Sequence, residues 1–238
     1  MEHIVALSGG KDSTAMALRL RELHPDQEYT YICTPTGDEL PPMIEHWLLL
    51  ERLLDMKFTW LTSGSSLDSL INYWQALPNW RQRWCTKYLK IFPFEAYLRE
   101  HKPATIYVGM RYDEAGARDG IEVGDGVTKL FPMIDWEWGL GDVLGYLDQR
   151  EIVVPERTDC GACFFQTLGE WWQLWVDYPE RWAKYEGYEA MTGHTFRSAQ
   201  RDTHPASLAG LRAEFEAGYV PRPRKMSDRR AMCSTCAH

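Results

Sequence analysis

Short runs of consecutive apolar residues alternate with stretches whose apolar positions recur at helical spacing through about the first 150 residues. His3–Leu7 reads as a short buried strand. Ala15, Leu18, Leu20 and Leu23 then lie at the spacing of a helix over residues 12–23, which stops before Pro25. Glu28–Cys33 is a second strand, and Pro41 and Pro42 open a helix through "MIEHWLLLERLLD". Lys57–Thr62 is a third strand. Residues 86–101 carry a helix with an interruption near Pro93, and Ala104–Met110 is a fourth strand. "KLFPMIDW" (129–136) reads as a fifth extended segment, and "LGDVLGYLDQR" (140–150) as the helix after it. Strands that are apolar throughout and separated by helices predict an α/β fold, a parallel sheet with helices on both faces.

The pattern changes beyond about residue 150. "GEWWQLWVDYPERWAKYEGYEAMTG" (169–193) predicts two helices broken at Pro179, and no strand alternation follows. The expected division is a nucleotide-binding domain over 1–152 and a mainly helical, cysteine-bearing region with a basic tail over 153–238. The tryptophans and tyrosines of 169–193 have the spacing of core residues, with base stacking as the alternative. The tail carries Arg222, Arg224, Lys225, Arg229 and Arg230, which suit a nucleic-acid backbone, nucleotide phosphates or plain solvent.

Charge and composition narrow the chemistry. A net charge of −8 over 238 residues means that any nucleic-acid contact must use a local patch. No stretch reaches the roughly 20 apolar residues of a membrane span, and the N-terminus lacks a secretory pattern; a soluble, cytoplasmic protein is expected. Six cysteines in such a chain point to metal or redox chemistry rather than disulfides. Four form two C-x-x-C pairs, Cys160/Cys163 and Cys233/Cys236. Cys85 lies in "RQRWCTKYLK", and Cys33 reads as a buried strand residue.

The sharpest local signal is "SGGKDS" at residues 8–13, between the first strand and the first helix. Gly9 and Gly10 let backbone N–H groups approach an anion, and the helix N-terminus adds partial positive charge. Lys11 adds a full charge, Ser8 and Ser13 add hydroxyls, and Asp12 can hold Mg²⁺. The spacing is neither the Walker pattern nor the dinucleotide fingerprint. Arg111 and Arg118, in a loop after the fourth strand, offer forks for phosphate or sulfate; their alternative is pairing with Asp113, Glu114 or Asp119.

"SGGKDS" resembles the pyrophosphate-binding loop of the PP-loop, or adenine nucleotide alpha-hydrolase, superfamily. "TGDELP" (36–41), "CTKYLK" (85–90), "VGMRYDEAGAR" (108–118), "FPMIDWEWGLGDVLGYLDQREI" (131–152) and "CGACFF" (160–165) resemble, in order, the blocks of its phosphoadenosine phosphosulfate (PAPS) reductase branch, iron–sulfur type. The resemblance spans roughly residues 1–185. It implies a Rossmann-like sheet with an adenine nucleotide over the C-terminal strand ends, near Thr36, Gly37 and Asp38.

It also implies a [4Fe–4S] cluster on Cys85, Cys160 and Cys163; Cys233 or Cys236 is the candidate fourth ligand, and otherwise one iron stays open. Assimilatory adenylylsulfate reductases carry a cysteine pair at the first position, where this chain has Trp84 beside Cys85. The alternatives are a Cys₄ Zn²⁺ site on Cys160, Cys163, Cys233 and Cys236, or a redox dithiol in the tail. PAPS reductases end in a nucleophilic cysteine followed by Gly-Leu-His. This chain ends "CSTCAH", so Cys236 is the nucleophile candidate without the full motif.

Two chemistries follow. ATP with Mg²⁺ drives adenylation of an acceptor, a nucleic acid or a small molecule, and sulfur then displaces AMP. Alternatively, adenylylsulfate or PAPS is reduced to sulfite. The family's reductases tend to lack the Lys-Asp-Ser ending; a complete Lys11-Asp12-Ser13 favours ATP. Lys11 and Asp12 are then catalytic, because they neutralise departing pyrophosphate. A non-catalytic nucleotide- and cluster-binding subunit is the third reading. A sulfur-donor or electron-donor protein is the expected partner, and a homo-oligomer is allowed.

Overall fold

The computed structural model describes residues 1–116 and 124–222. Five parallel strands form one sheet in the order β3-β2-β1-β4-β5: β1 (Glu2–Ala6), β2 (Thr30–Cys33), β3 (Thr59–Trp60), β4 (Ala104–Tyr107) and β5 (Val127–Leu130). Ile4 pairs in register with Thr30 on one side and with Ile106 on the other. The chain winds outward from β1 to β3, then returns to lay β4 on the other side of β1. That reversal opens a crevice at the C-terminal ends of β1 and β4, the ligand position of open α/β sheets.

Alternate strand residues are buried on opposite faces. Val5, Tyr31 and Cys33 pack under α1 (Lys11–Leu23), α2 (Pro41–Leu54) and, later in the chain, α7 (Leu140–Asp148). Ile4, Ile32 and Ile106 pack with Phe94 and Leu98. Cys33 is fully buried, as its apolar strand predicts, and its thiol donates to the Leu7 carbonyl.

A third cluster gathers α3 (Leu67–Trp74) with the C-terminal helices α8 (Leu168–Asp177), α9 (Pro179–Thr192) and α10 (Leu208–Glu216). Trp171, Trp182 and Tyr185 lie at its centre, so these aromatic residues are core and not a stacking surface. The cluster joins residues from both sides of position 152.

One local expectation needs correction, and another takes a specific form. "KLFPMIDW" is not one extended segment: β5 ends at Leu130, and Pro132 opens the short helix α6 (Pro132–Asp135), where proline's fixed φ suits the first turn. The interruption expected near Pro93 is a π turn at Lys87–Ile91, between α4 (Trp84–Thr86) and α5 (Phe92–Glu100), whose first turn holds Pro93. Pro93 has no N–H to donate backward, and the π turn falls directly before it. Among the described residues, no helix is long and apolar enough to cross a membrane.

The C-terminal helices are tied to the sheet through one buried carboxylate. Asp38, in the loop after β2, is 1% exposed. It accepts from the Ala162 amide at 3.0 Å, the Tyr185 hydroxyl at 2.8 and 2.9 Å, and Lys184 Nζ at 3.0 Å. Its carbonyl accepts from the Gly161 amide at 2.7 Å, and Arg181 donates to the Asp38 and Glu39 carbonyls. A Cβ at Gly161 would overlap the Tyr185 hydroxyl, so only glycine lets the loop come this close.

Two outcomes check this architecture. Asp38→Ala removes the acceptor from Lys184 and Tyr185. It should destabilise the fold by about 3 kcal/mol and speed hydrogen exchange at the Gly161 and Ala162 amides, with β1 and β4 unchanged. Unchanged exchange at those amides would refute the tether. The second outcome concerns His46, buried in α2 with Nε2 3.2 Å from Thr14 Oγ1. Burial pushes its pKa down to about 4. Its neutral form therefore contributes stability in full above pH 6.5, and that contribution is lost as pH falls towards 4. The loss approaches about 3 kcal/mol. Urea midpoints measured over this range should show a shallower pH slope in His46→Gln than in the native chain.

Candidate functional site

The loop Ser8–Ser13 leaves the C-terminal end of β1 and enters α1 at Lys11, with Gly10 as N-cap. Gly9 sits at φ +80°, and a Cβ there would overlap Met43 and the Trp47 indole. Trp47 Nε1 donates to the Ser8 carbonyl at 3.1 Å, which fixes the loop from beneath. The Gly9 amide donates to Ser13 Oγ at 3.1 Å, the Gly10 amide donates to Ser8 Oγ at 3.3 Å, and the two hydroxyls are 3.0 Å apart. The result is a preshaped turn at the positive end of a 13-residue helix.

The loop after β4 closes the other side of the crevice. Built on Gly109, a Cβ would stand 3.1 Å from the Ser13 backbone, so the two loops touch main chain to main chain. Arg111 follows and is 3% exposed. Its Nη1 donates to Asp12 Oδ2 at 2.9 Å, its Nε to Asp113 at 2.8 Å, and its Nη2 pairs with Glu114 at 2.9 Å. The expected phosphate fork is thus turned inward on three carboxylates. A buried guanidinium needs that compensation. Arg111 instead holds Asp12 in place. Asp12 Oδ2 also faces Lys11 Nζ at 3.3 Å, while the buried Oδ1 has no partner among the described residues. A carboxylate oxygen left in this position fits a Mg²⁺ carried by nucleotide phosphates.

In the loop after β2, the Glu39 carboxylate accepts from the Thr36 amide and hydroxyl at 2.6 and 2.7 Å and from the Gly37 amide at 3.0 Å. Thr36, Gly37 and Asp38 were expected beside a nucleotide. The polar groups of Thr36 and Gly37 shape a turn on Glu39, and Asp38 is the tether described above. Glu39 was not anticipated; its position three residues after Thr36 was its only sequence signal.

Three of the cysteines, Cys85, Cys160 and Cys163, line one small cavity together with Thr36, Arg83 and Lys90. Phe164, Phe165, Leu67 and Pro78 supply its apolar wall. The neighbouring Cys160 thiol, together with burial, pushes the Cys163 thiol well above its ordinary range. Burial raises Cys85 to about 11. Such thiols ionise only against a strong positive charge, as a metal provides.

Among the described residues, no three His, Cys, Asp or Glu side chains gather tightly enough for a single metal ion. A cluster spreads its iron atoms over separate thiolates, which three cysteines around one cavity fit; the Zn²⁺ alternative uses Cys233 and Cys236, outside the described residues. Cys233, Cys236 and Arg118 lie outside the described residues, and so does the basic tail beyond Arg222.

The segment entering the cysteine turn had no sequence signal. Thr158 Oγ1 stands 3.6 Å from a Cβ built on Gly10, so this segment passes close to the glycine loop. Arg157 donates through Nη2 to the Cys160 carbonyl at 3.1 Å, and its buried Nη1 has no partner among the described residues. Only one residue, Asp159, separates Thr158 near the glycine loop from Cys160 at the cavity.

Comparison with known proteins agrees with this geometry. The phosphoadenosine phosphosulfate reductase domain family matches residues 2–173. No curated protein matches. A phosphoadenylyl-sulfate (PAPS) reductase from Candida auris, solved as a phosphate complex, aligns with TM-score 0.52 at 14% identity, over 66% of this chain and 76% of its own. That likeness shows the fold alone. The U34-tRNA thiolase NcsA from Methanococcus maripaludis, solved with its [4Fe–4S] cluster, aligns with TM-score 0.46 at 14% identity, over 95% of this chain and 84% of its own. With a family match over most of its length and a glycine-rich loop seated at the switch point of a parallel sheet, the chain belongs to the phosphoadenosine phosphosulfate reductase domain family.

Proposed function

We propose that this protein is an ATP-dependent sulfurtransferase that adenylates an acceptor, a nucleic acid or a small molecule, and replaces the activated oxygen with sulfur. The adjacency of the two sites carries the reading: Thr158 Oγ1 lies 3.6 Å from where a Cβ on Gly10 would stand, and Cys160, two positions on, lines the cysteine cavity. In this reading residues 1–152 bind the nucleotide and 153–238 bring the cysteines to it.

The amides and hydroxyls of Ser8–Ser13 hold the triphosphate, and Asp12, oriented by Arg111, takes its Mg²⁺. An acceptor oxygen attacks the α-phosphorus, and the bond from that phosphorus to the departing pyrophosphate breaks. Lys11 offsets the charge that develops on the leaving group. A sulfide-level donor then forms the new bond to sulfur, and AMP leaves with the former acceptor oxygen. Cys85, Cys160 and Cys163 would hold a [4Fe–4S] cluster by three of its irons. When bound, the cluster supplies an iron site for sulfide. Arg83 and Lys90 line the same cavity and offset the negative charge of thiolate ligands. The alternative chemistry, reduction of adenylylsulfate or PAPS to sulfite with Cys236 as nucleophile, needs no pyrophosphate release.

Anaerobic purification should yield a brown protein with iron and acid-labile sulfide, and Cys85→Ser should lose most of both. Pyrophosphate release from ATP should fall about 100-fold in Lys11→Ala. A colourless protein with one zinc would refute the cluster. Sulfite formation from adenylylsulfate or PAPS, without pyrophosphate release from ATP, would replace transfer with reduction.

A further inference from the structure

Between Asp68 and Glu95 the chain has no Asp or Glu, yet it carries Arg81, Arg83, Lys87 and Lys90 in a protein of net charge −8. The same stretch exposes aromatic rings. Tyr73 is 82% exposed, Trp80 59% and Phe92 41%. This is the reverse of α8 and α9, whose central aromatic residues are buried.

The rings are ordered. Trp84, Trp74, Tyr88 and Phe92 follow one another at centroid separations of 5.0, 4.9 and 5.1 Å. Lys87 Nζ lies 5.8 Å from the Tyr88 ring and 5.3 Å from the Phe92 ring, and the Arg81 guanidinium lies 4.7 Å from the Trp80 ring. The rings of this row meet edge to face, and the exposed rings with the cations beside them offer a polyanion charge and aromatic surface together. The stretch also runs into the cysteine cavity, which Arg83, Cys85 and Lys90 line.

We propose that the face formed by residues 73–92 binds a single-stranded polynucleotide and leads it to the cysteine cavity. The destination rests on the sulfur-transfer reading; the binding surface does not. Stacked rings require bases free of a duplex, while arginine and lysine meet the phosphates. The chain's own C-terminal stretch, basic at Arg222, Arg224, Lys225, Arg229 and Arg230, does not complement this basic face.

Fluorescence anisotropy of the full-length protein with labelled single-stranded RNA, single-stranded DNA and duplex DNA tests the surface. Single strands should bind more tightly than duplex, and the RNA and DNA arms identify the sugar. Arg81→Ala with Lys87→Ala should weaken single-strand binding about 10-fold and lower the salt slope by between one and two. Trp80→Ala should weaken binding several-fold. ATP binding should be unchanged in all these variants. No single-strand binding, or binding that these variants leave intact, overturns the proposal. So does a protein dimer that dissociates in Trp80→Ala and binds no oligonucleotide, because the face then belongs to a second copy. Oligonucleotide binding that persists in a protein with no pyrophosphate release would reject sulfur transfer and keep the surface.

Discussion

The Asp38 carboxylate organises the molecule. Both its oxygens are removed from water, and each is matched by donors from elements more than a hundred residues later: the Ala162 amide, Lys184 and Tyr185. Burial alone pushes its carboxyl up, and Lys184 and Tyr185 work against that push. A buried charge holds its partners closely, because leaving it unpaired costs several kcal/mol. The cysteine turn therefore has a defined position relative to the loop after β2. Through that position it is set against the nucleotide loop.

The same economy appears at Arg111. An arginine beside a phosphate-binding loop has two uses, contact with ligand or support of a ligand-binding side chain. Here burial decides between them. At 3% exposure the guanidinium is surrounded by Asp12, Asp113 and Glu114, and its effect on a ligand passes through Asp12. Close main-chain packing completes the crevice. Gly109 meets the Ser13 backbone directly, and Gly9 adopts a positive φ above Met43 and Trp47.

Much of the fold was legible because its signals are local. Apolar runs and helical spacing located β1, β2 and β4 with the helices between them, and Pro179 marked the break between α8 and α9. β3 shrank to Thr59–Trp60, since pairing with β2 and not composition sets its length. α3 and α10 were not anticipated. Both are short and complete their burial only in the cluster they share with α8 and α9. The aromatic residues show the same limit: identical residue types are core in α8 and α9 and exposed at 73–92.

At the site, the sequence by itself determined the chemistry available: a glycine-rich anion loop with a complete Lys-Asp-Ser ending, and cysteines at ligand spacing. These are short-range features in which neighbours along the chain cooperate directly. Tertiary structure decided what each side chain does. It made Asp38 a tether, turned Arg111 onto carboxylates, gave Glu39 the turn after β2, and brought Cys85 to the cavity of Cys160 and Cys163. The reason is physical. A charged group's role depends on its solvent exposure and on which opposite charges face it, and those partners come from segments remote in the chain.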